Sequence, residues 1–248
     1  MTLNSFFAEN PRVALAFSGG VDSAYLLYAA KNAAADVTAY YVKSAFQPEF
    51  ETRDALRLAR ELGANMKVLE LDILCDSTVT SNPDDRCYYC KKQIFTAIVQ
   101  AARADGYDVL IDGTNASDDA ADRPGIRALE ELSVRSPLRE CGITKAQVRS
   151  LSREAGLFTW DKPAYACLAT RIPTGEVITA EKLRKTETAE EFLEQLGFRD
   201  FRVWMMGENA KLQVREEQLS LLLEKRTEIL TGLKTLYHTI LLDLEVRG

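Results

Sequence analysis

The chain has 248 residues and a formal net charge of −6, from 31 Lys plus Arg against 37 Asp plus Glu, with a single histidine. That length allows one or two domains with a sizeable core, and 46% hydrophobic with 27% charged residues is the make-up of an ordinary globular protein. The acidic balance argues against a broad basic face for duplex or tRNA, so no nucleic-acid partner is expected, and the lone His238 excludes His-rich metal sites and argues against a Ser-His-Asp triad. Met1 to Arg12 lacks a signal-peptide layout, and no run of 18 apolar residues occurs, so no membrane partner is expected. Cysteines Cys75, Cys87, Cys90, Cys141 and Cys167 are too sparse for a disulfide scaffold, and their odd number fits a reducing, cytoplasmic setting.

Taken in order, strand and helix signals alternate through the first half. Arg12 to Phe17 reads as a strand ending in Ser18-Gly19-Gly20, followed by a helical pattern through Ala24, Leu26, Leu27, Ala30 and Lys31. Val37 to Val42 is a second strand, Glu49 to Leu62 a helix stopped by Gly63, and Met66 to Leu71 a third strand. Cys90 to Ala104 is helical and ends near Gly106, and Val109 to Ile111 is a short strand closed by Asp112-Gly113. Two polar stretches read as long loops: Cys75 to Arg86, and Asn115 to Pro124 with Asp118, Asp119 and Asp122. A helix starts at Thr144, with Gln147 completing a capping box, and ends at Gly156.

After Pro173 the pattern changes. Thr179 to Leu196 is one helix stopped by Gly197, Arg202 to Met206 and Lys211 to Arg215 form a hairpin around Gly207, Glu217 to Leu236 is a helix, and Thr239 to Val246 alternates like a strand. The expected fold class is therefore α/β. A parallel-sheet domain over residues 1–172 is followed by a smaller α+β domain over 173–248, the expected substrate and oligomerisation domain. A homo-oligomer is expected.

Ser18-Gly19-Gly20-Val21-Asp22-Ser23 lies between the first strand and its helix. Glycines allow a tight turn whose N–H groups face phosphate oxygens, and the helix start adds partial positive charge. Ser18 and Ser23 add hydroxyl donors, while Asp22, an anion, reaches phosphate through Mg²⁺. The alternative is a glycine-rich βα turn that binds nothing. A parallel sheet places ligands at this strand end, which favours a bound phosphate over an empty turn. Lys162 is expected to neutralise phosphate charge, and Arg123 and Arg127 to receive an acidic small molecule.

Cys87-Tyr88-Tyr89-Cys90 opens a helix and runs into Lys91 and Lys92, a setting that lowers thiol pKa values. With Cys167 on a separate loop, the three cysteines suit a [4Fe–4S] cluster with one open iron. A dithiol redox pair, zinc held with His238, and unrelated buried cysteines stay open as alternatives.

The loop has the form SGGxDS and resembles the PP-loop of ATP pyrophosphatases, which adenylate a carbonyl or carboxylate oxygen. Together with Asp85 to Lys92, Asp112-Gly113, Asp122-Arg123-Pro124-Gly125, Ser136-Pro137-Leu138, Trp160 to Ala164 and Cys167 to Pro173, it resembles the LarE family of sulfur transferases. The resemblance implies ATP-dependent conversion of a carboxylate of pyridinium-3,5-biscarboxylic acid mononucleotide into a thiocarboxylate, during synthesis of a nickel-pincer cofactor. It also implies ATP and Mg²⁺ as cofactors, Ser18 to Ser23, Val42 and Gly113 on the nucleotide side, and Glu190 and Arg202 in the substrate pocket. Cys87, Cys90 and Cys167 correspond to the family's three-cysteine cluster type, and a sacrificial cysteine donor would fall on Cys167. Trp204-Met205-Met206 departs from the family's more basic hairpin. A tRNA thiolase, an amide-forming synthetase and a non-catalytic nucleotide-binding module are the competing functions.

Overall fold

The computed structural model describes residues 1–118 and 123–247, without the side chains of Arg123 and Pro124. They form two compact units: Met1–Ile73 with Asp85–Lys162, and Leu74–Asp84 with Pro163–Gly248.

In the first unit, α1 (Leu3–Glu9), β1 (Arg12–Ala16), α2 (Val21–Asn32), β2 (Asp36–Lys43), α3 (Glu49–Glu61) and β3 (Asn65–Glu70) follow in order. The chain passes through α4 (Ser77–Thr80), which belongs to the second unit, and returns with α5 (Arg86–Ala104), β4 (Leu110–Ile111), α6 (Arg123–Glu131), α7 (Pro137–Glu140) and α8 (Lys145–Glu154). The strands make a parallel sheet of order β3-β2-β1-β4. Both faces of its centre are covered. Val13, Leu15, Val37, Ala39 and Tyr41 pack with Leu26, Leu27 and Val148, whereas Ala14, Tyr40 and Val42 pack with Ile98 and Ala102 of α5. Two covered faces explain why β1 and β2 are buried at every position but their ends, and β3, an edge strand, is mostly exposed. All four strands point their carboxyl ends to one edge, where the loop after β1 lies.

The second unit holds α4, a 3₁₀ turn at Leu168–Arg171, α9 (Ala180–Gln195), the hairpin β5 (Arg202–Met206) and β6 (Asn209–Gln213), α10 (Leu219–Glu224), α11 (Arg226–Leu233) and β7 (Ile240–Leu242). Its sheet has the order β5-β6-β7, with β7 parallel to β6. This unit begins ten residues before the expected boundary and includes Leu74–Asp84. Side-chain and main-chain bonds explain the inclusion: Asn82 Nδ2 donates to Pro173 O at 2.8 Å, Gly175 N–H to Asn82 O at 2.8 Å, and Ile178 N–H to Thr80 O at 2.8 Å.

Several boundaries differ from the sequence expectation. α5 starts at Arg86, so Cys87 and Cys90 both lie in its opening turns. The Cys75 to Arg86 loop contains α4, whose N-cap Asp76 accepts from Thr78 and Val79 N–H. The second loop gives way to α6 at Arg123, with proline in its first turn as also in α7. The helix expected over Glu217 to Leu236 is broken at Lys225 (ψ 7°), and the last strand spans only Ile240–Leu242. The capping box at Thr144 and Gln147 is present as expected.

Candidate active site

The loop after β1 leads into α2 without a side-chain cap. Gly20 is the N-cap and makes no side-chain cap bond, so the first-turn N–H groups lack the usual capping oxygen. A helix start left in this way at the ligand edge of a parallel sheet is an anion site in waiting. Gly19 has φ +73°, and a Cβ there would stand 3.1 Å from Ala55 Cβ. Ser18 and Ser23 bond through their hydroxyls at 3.1 Å, and Ser23 Oγ donates to Gly20 O at 3.2 Å. Val21 begins α2 and is buried, as is Val42 at the end of β2. Just beyond Val42, Ser44 donates its N–H (3.1 Å) and Oγ (2.6 Å) to Gln47 Oε1, shaping the next loop on the same edge.

Asp22 lies in the first turn of α2, where a carboxylate is favoured by the helix dipole. Its carboxylate is paired with Lys145 Nζ, the first residue of α8, and accepts from Asn115 Nδ2 at 3.2 Å. Asn115 is fully buried and its own Oδ1 accepts Ser117 N–H at 2.8 Å. Sequence reasoning singled out neither Lys145 nor Asn115. Their only signals are a lysine directly after the Thr144 cap and an Asn directly after Asp112-Gly113-Thr114.

Gly113 is a close-approach glycine. A Cβ there would stand 2.8 Å from Ser23 N and 3.1 Å from Ser23 Cα. Backbone on that side cannot step aside cheaply, so Gly113→Ala should displace the start of α2. We expect about 1–3 kcal/mol of lost stability and a KM for ATP raised about tenfold, read by thermal melts and pyrophosphate release. A wild-type KM would contradict this account of Gly113. Beside it, burial pushes the Asp112 carboxyl up, against the bonds from Ser136 Oγ (2.7 Å) and Thr114 that favour its charged form.

Lys162, expected to neutralise phosphate charge, has ion-pair partners within the fold. Its side chain, 13% exposed, pairs with Asp54 at 2.7 Å and Glu51 at 3.2 Å, both on α3. Burial pushes the Glu51 carboxyl up, and the Lys162 ammonium beside it pulls the other way. Its charge is matched within the fold, and Lys145 is the ammonium beside Asp22. Lys162→Ala should therefore cost about 2–3 kcal/mol of stability, since a half-broken, largely buried ion pair leaves a carboxylate behind. The ATP KM should hardly move, and a large rise in KM without a fall in melting temperature would contradict this placement.

Arg127, 61% exposed, lies over the Tyr88 ring at 3.9 Å and pairs with Glu131 at 3.4 Å. Tyr88 OH donates to Glu131 Oε2 at 2.8 Å, and Lys92 joins the same carboxylate at 3.1 Å. This cluster adjoins the C-x-x-C on α5. The Arg123 side chain, Asp119 and Asp122 lie outside the described residues.

Cys87 is exposed and Cys90 partly buried. Three residues apart on a helix, they share one side of it. Cys167 is in the second unit, as the N-cap of the 3₁₀ turn. Among the described residues, no three His, Cys, Asp or Glu side chains gather as a metal site.

In the second unit, Glu190 and Arg202 are buried rather than on the surface. Glu190 accepts from Arg171 Nε at 2.7 Å and from Val203 N–H at 3.0 Å, and Tyr165 OH donates to it. Arg202 donates to Phe201 O and Ala164 O, each at 2.6 Å. Burial, then its neighbours Arg171 and Arg247, lower the Arg202 pKa to about 10. Arg171 and Tyr165, which sequence reasoning passed over, complete this cluster.

The chain matches no protein-family model. It is 39% identical over 222 residues to an uncharacterised protein of Synechocystis sp., covering 88% of this chain and 81% of that one. It is 32% identical over 246 residues to the pyridinium-3,5-bisthiocarboxylic acid mononucleotide synthase of Lactiplantibacillus plantarum, covering 98% of this chain and 89% of that one. A tRNA-specific 2-thiouridylase of Frankia alni is 31% identical over 189 residues, 61% of this chain and 53% of that one. Among the described residues, no helix is long and apolar enough to cross a membrane.

Proposed function

Because the chain belongs to the LarE family of ATP-dependent sulfur transferases, within the PP-loop superfamily, we propose that its substrate is pyridinium-3,5-biscarboxylic acid mononucleotide, thiolated during nickel-pincer cofactor synthesis. The observation that carries the ATP half of this reading is the uncapped start of α2 with Asp22 and Lys145 beside it. Match over 98% of the chain to the bisthiocarboxylic acid synthase favours this acid over tRNA.

A carboxylate is a poor acyl donor because its leaving group would be oxide. Attack of a carboxylate oxygen on the α-phosphorus of ATP breaks the α–β phosphoanhydride bond, forms an acyl adenylate and releases pyrophosphate. The α2 N–H groups with Ser18 and Ser23 then hold the departing pyrophosphate. Lys145 adds a positive charge, exchanging the Asp22 carboxylate for phosphate oxygens as the nucleotide enters. The single Asp22 carboxylate fits Mg²⁺, which is commonly held by one or two carboxylates plus substrate phosphates, and the ion would supply charge neutralisation there. Val42 and the Ser44 loop border the base. Gly113 lets this edge close on α2.

A sulfur nucleophile then attacks the acyl carbon, and AMP leaves with the electron pair of the broken C–O bond. The finer proposal is that Cys87, Cys90 and Cys167 are thiolate ligands of a [4Fe–4S] cluster. The donor chemistry fits: three thiols, two on one side of a helix start. When bound, that group would supply a labile sulfide. The alternative donor is the sulfur of Cys167 itself. Arg123 and Arg127 are proposed to receive the acid, and Arg202 its phosphate. The protein is proposed to act in the cytoplasm as a homo-oligomer, with residues 173–248 contributing to substrate binding and assembly.

The test is pyrophosphate release from ATP with the biscarboxylic acid mononucleotide and, in parallel, with unmodified tRNA. Release stimulated by the mononucleotide alone supports the proposal. Release stimulated by tRNA alone would replace it with a tRNA thiolase.

A further inference from the structure

Lys162 to Cys167 has no regular secondary structure, yet its last four residues are each tied down within the second unit. Ala164 O accepts from Arg202 Nη2 at 2.6 Å. Tyr165 OH donates to Glu190, and its ring lies 4.9 Å from the Arg171 guanidinium and 5.2 Å from that of Arg202. Ala166 O accepts from Arg171 Nη1 at 3.3 Å. Cys167 O accepts from Thr170 N–H at 3.0 Å and Thr170 Oγ1 at 2.8 Å, and that hydroxyl oxygen accepts from Arg171 Nη1 at 2.6 Å.

The common member is Arg171, which is 0% exposed. Its planar fork faces two ways at once. Nη1 serves the backbone and hydroxyl of the Cys167 turn, while Nε and Nη2 meet Glu190 at 2.7 and 3.3 Å. Glu190 in turn anchors to β5 through Val203 N–H at 3.0 Å. Both Glu190 oxygens already have protein donors, so the carboxylate works inward, on its own fold. A guanidinium suits this task and an ammonium does not, because only a rigid fork holds two directions with fixed angles.

We propose that Arg171 and Glu190 are positioning residues for Cys167: one buried pair, joined by Tyr165, sets the attitude of the four-residue segment that ends in this cysteine. The proposal deepens the functional reading and rests on a sulfur-handling role for Cys167. A sulfur centre delivering to an acyl carbon must be held to a fraction of an ångström, and an irregular segment has no ladder of backbone bonds to do so.

The test is iodoacetamide labelling of the full chain as purified, read residue by residue by peptide mass spectrometry. Arg171→Lys and Glu190→Gln keep the size of the side chain and remove the fork or the charge. Tyr165→Phe removes one hydroxyl and guards against a variant that fails to fold. We expect Cys167 labelling to rise about tenfold relative to Cys87 in the first two variants and about threefold in Tyr165→Phe, with thiolation kcat falling and the KM for ATP unchanged. Cys167 labelling within about twofold of wild type in Glu190→Gln and Tyr165→Phe would overturn the proposal. So would an equal rise at Cys87 and Cys141, which reports general loosening. The underlying reading has its own check. Full thiolation by Cys167→Ala would remove the sulfur role and the proposal with it, whatever the labelling shows.

Discussion

Asp22→Asn is expected to cut pyrophosphate release from ATP at least about a hundredfold, close to 3 kcal/mol of transition-state stabilisation, while the protein stays folded. The asparagine keeps the shape of the side chain and loses its charge. In the free enzyme Asp22 answers Lys145 and Asn115 Nδ2. Removing its charge therefore releases Lys145, whose side chain is 35% exposed and keeps its hydration, so the fold loses little. Once ATP enters, the same change removes the loop's own carboxylate, which is proposed to hold a divalent cation there. Lys145→Met should lower turnover by a smaller factor, about tenfold, and the double variant should fall short of the sum because both act on the same phosphates. Wild-type turnover by Asp22→Asn would contradict the assignment of the loop.

Replacing Cys87, Cys90 or Cys167 by Ala is expected to remove most of the iron and the brown absorption of anaerobically prepared protein. Cys75→Ala and Cys141→Ala should leave both unchanged, since those residues lie outside the proposed set and burial pushes the Cys141 thiol up, away from the thiolate that iron requires. With the cluster as donor, turnover continues when sulfide is supplied and the intact protein mass does not change. With a sacrificial donor, one turnover converts Cys167 to dehydroalanine and the protein loses the mass of H₂S. That loss, in protein without iron, would replace the cluster proposal by the sacrificial one.

The fold was legible where one physical signal dominated. β1 and β2 are rich in apolar residues because both sheet faces are covered, and the capping box at Thr144 announces α8 directly. The elements that escaped are short and held by local side chains. α4 depends on Asp76 as its cap, and α6 and α7 have prolines in their first turns that read equally well as turns. The tail helix broke at Lys225, which caps both α10 and α11, and no strong breaker in the sequence marks that position. In the site, the glycine loop carried its chemistry openly, through residue types at fixed spacing. Charge partners did not. Lys162 and Lys145 are both lysines near loops, and sequence order cannot show that one meets Glu51 and Asp54 while the other meets Asp22. Arg171 and Glu190 are 19 residues apart, and only the fold makes them a buried pair.

The central claim is that this chain uses ATP to exchange a carboxylate oxygen for sulfur on a pyridinium nucleotide. The most direct measurement is mass spectrometry of the small molecules after incubating the anaerobic protein with ATP, Mg²⁺, sulfide and pyridinium-3,5-biscarboxylic acid mononucleotide. The account predicts a product in which one carboxylate oxygen is replaced by sulfur, with AMP and pyrophosphate formed in equal amounts, and none of the three without ATP. AMP and pyrophosphate formed without any sulfur-bearing product, or sulfur transfer that proceeds in the absence of ATP, would contradict it.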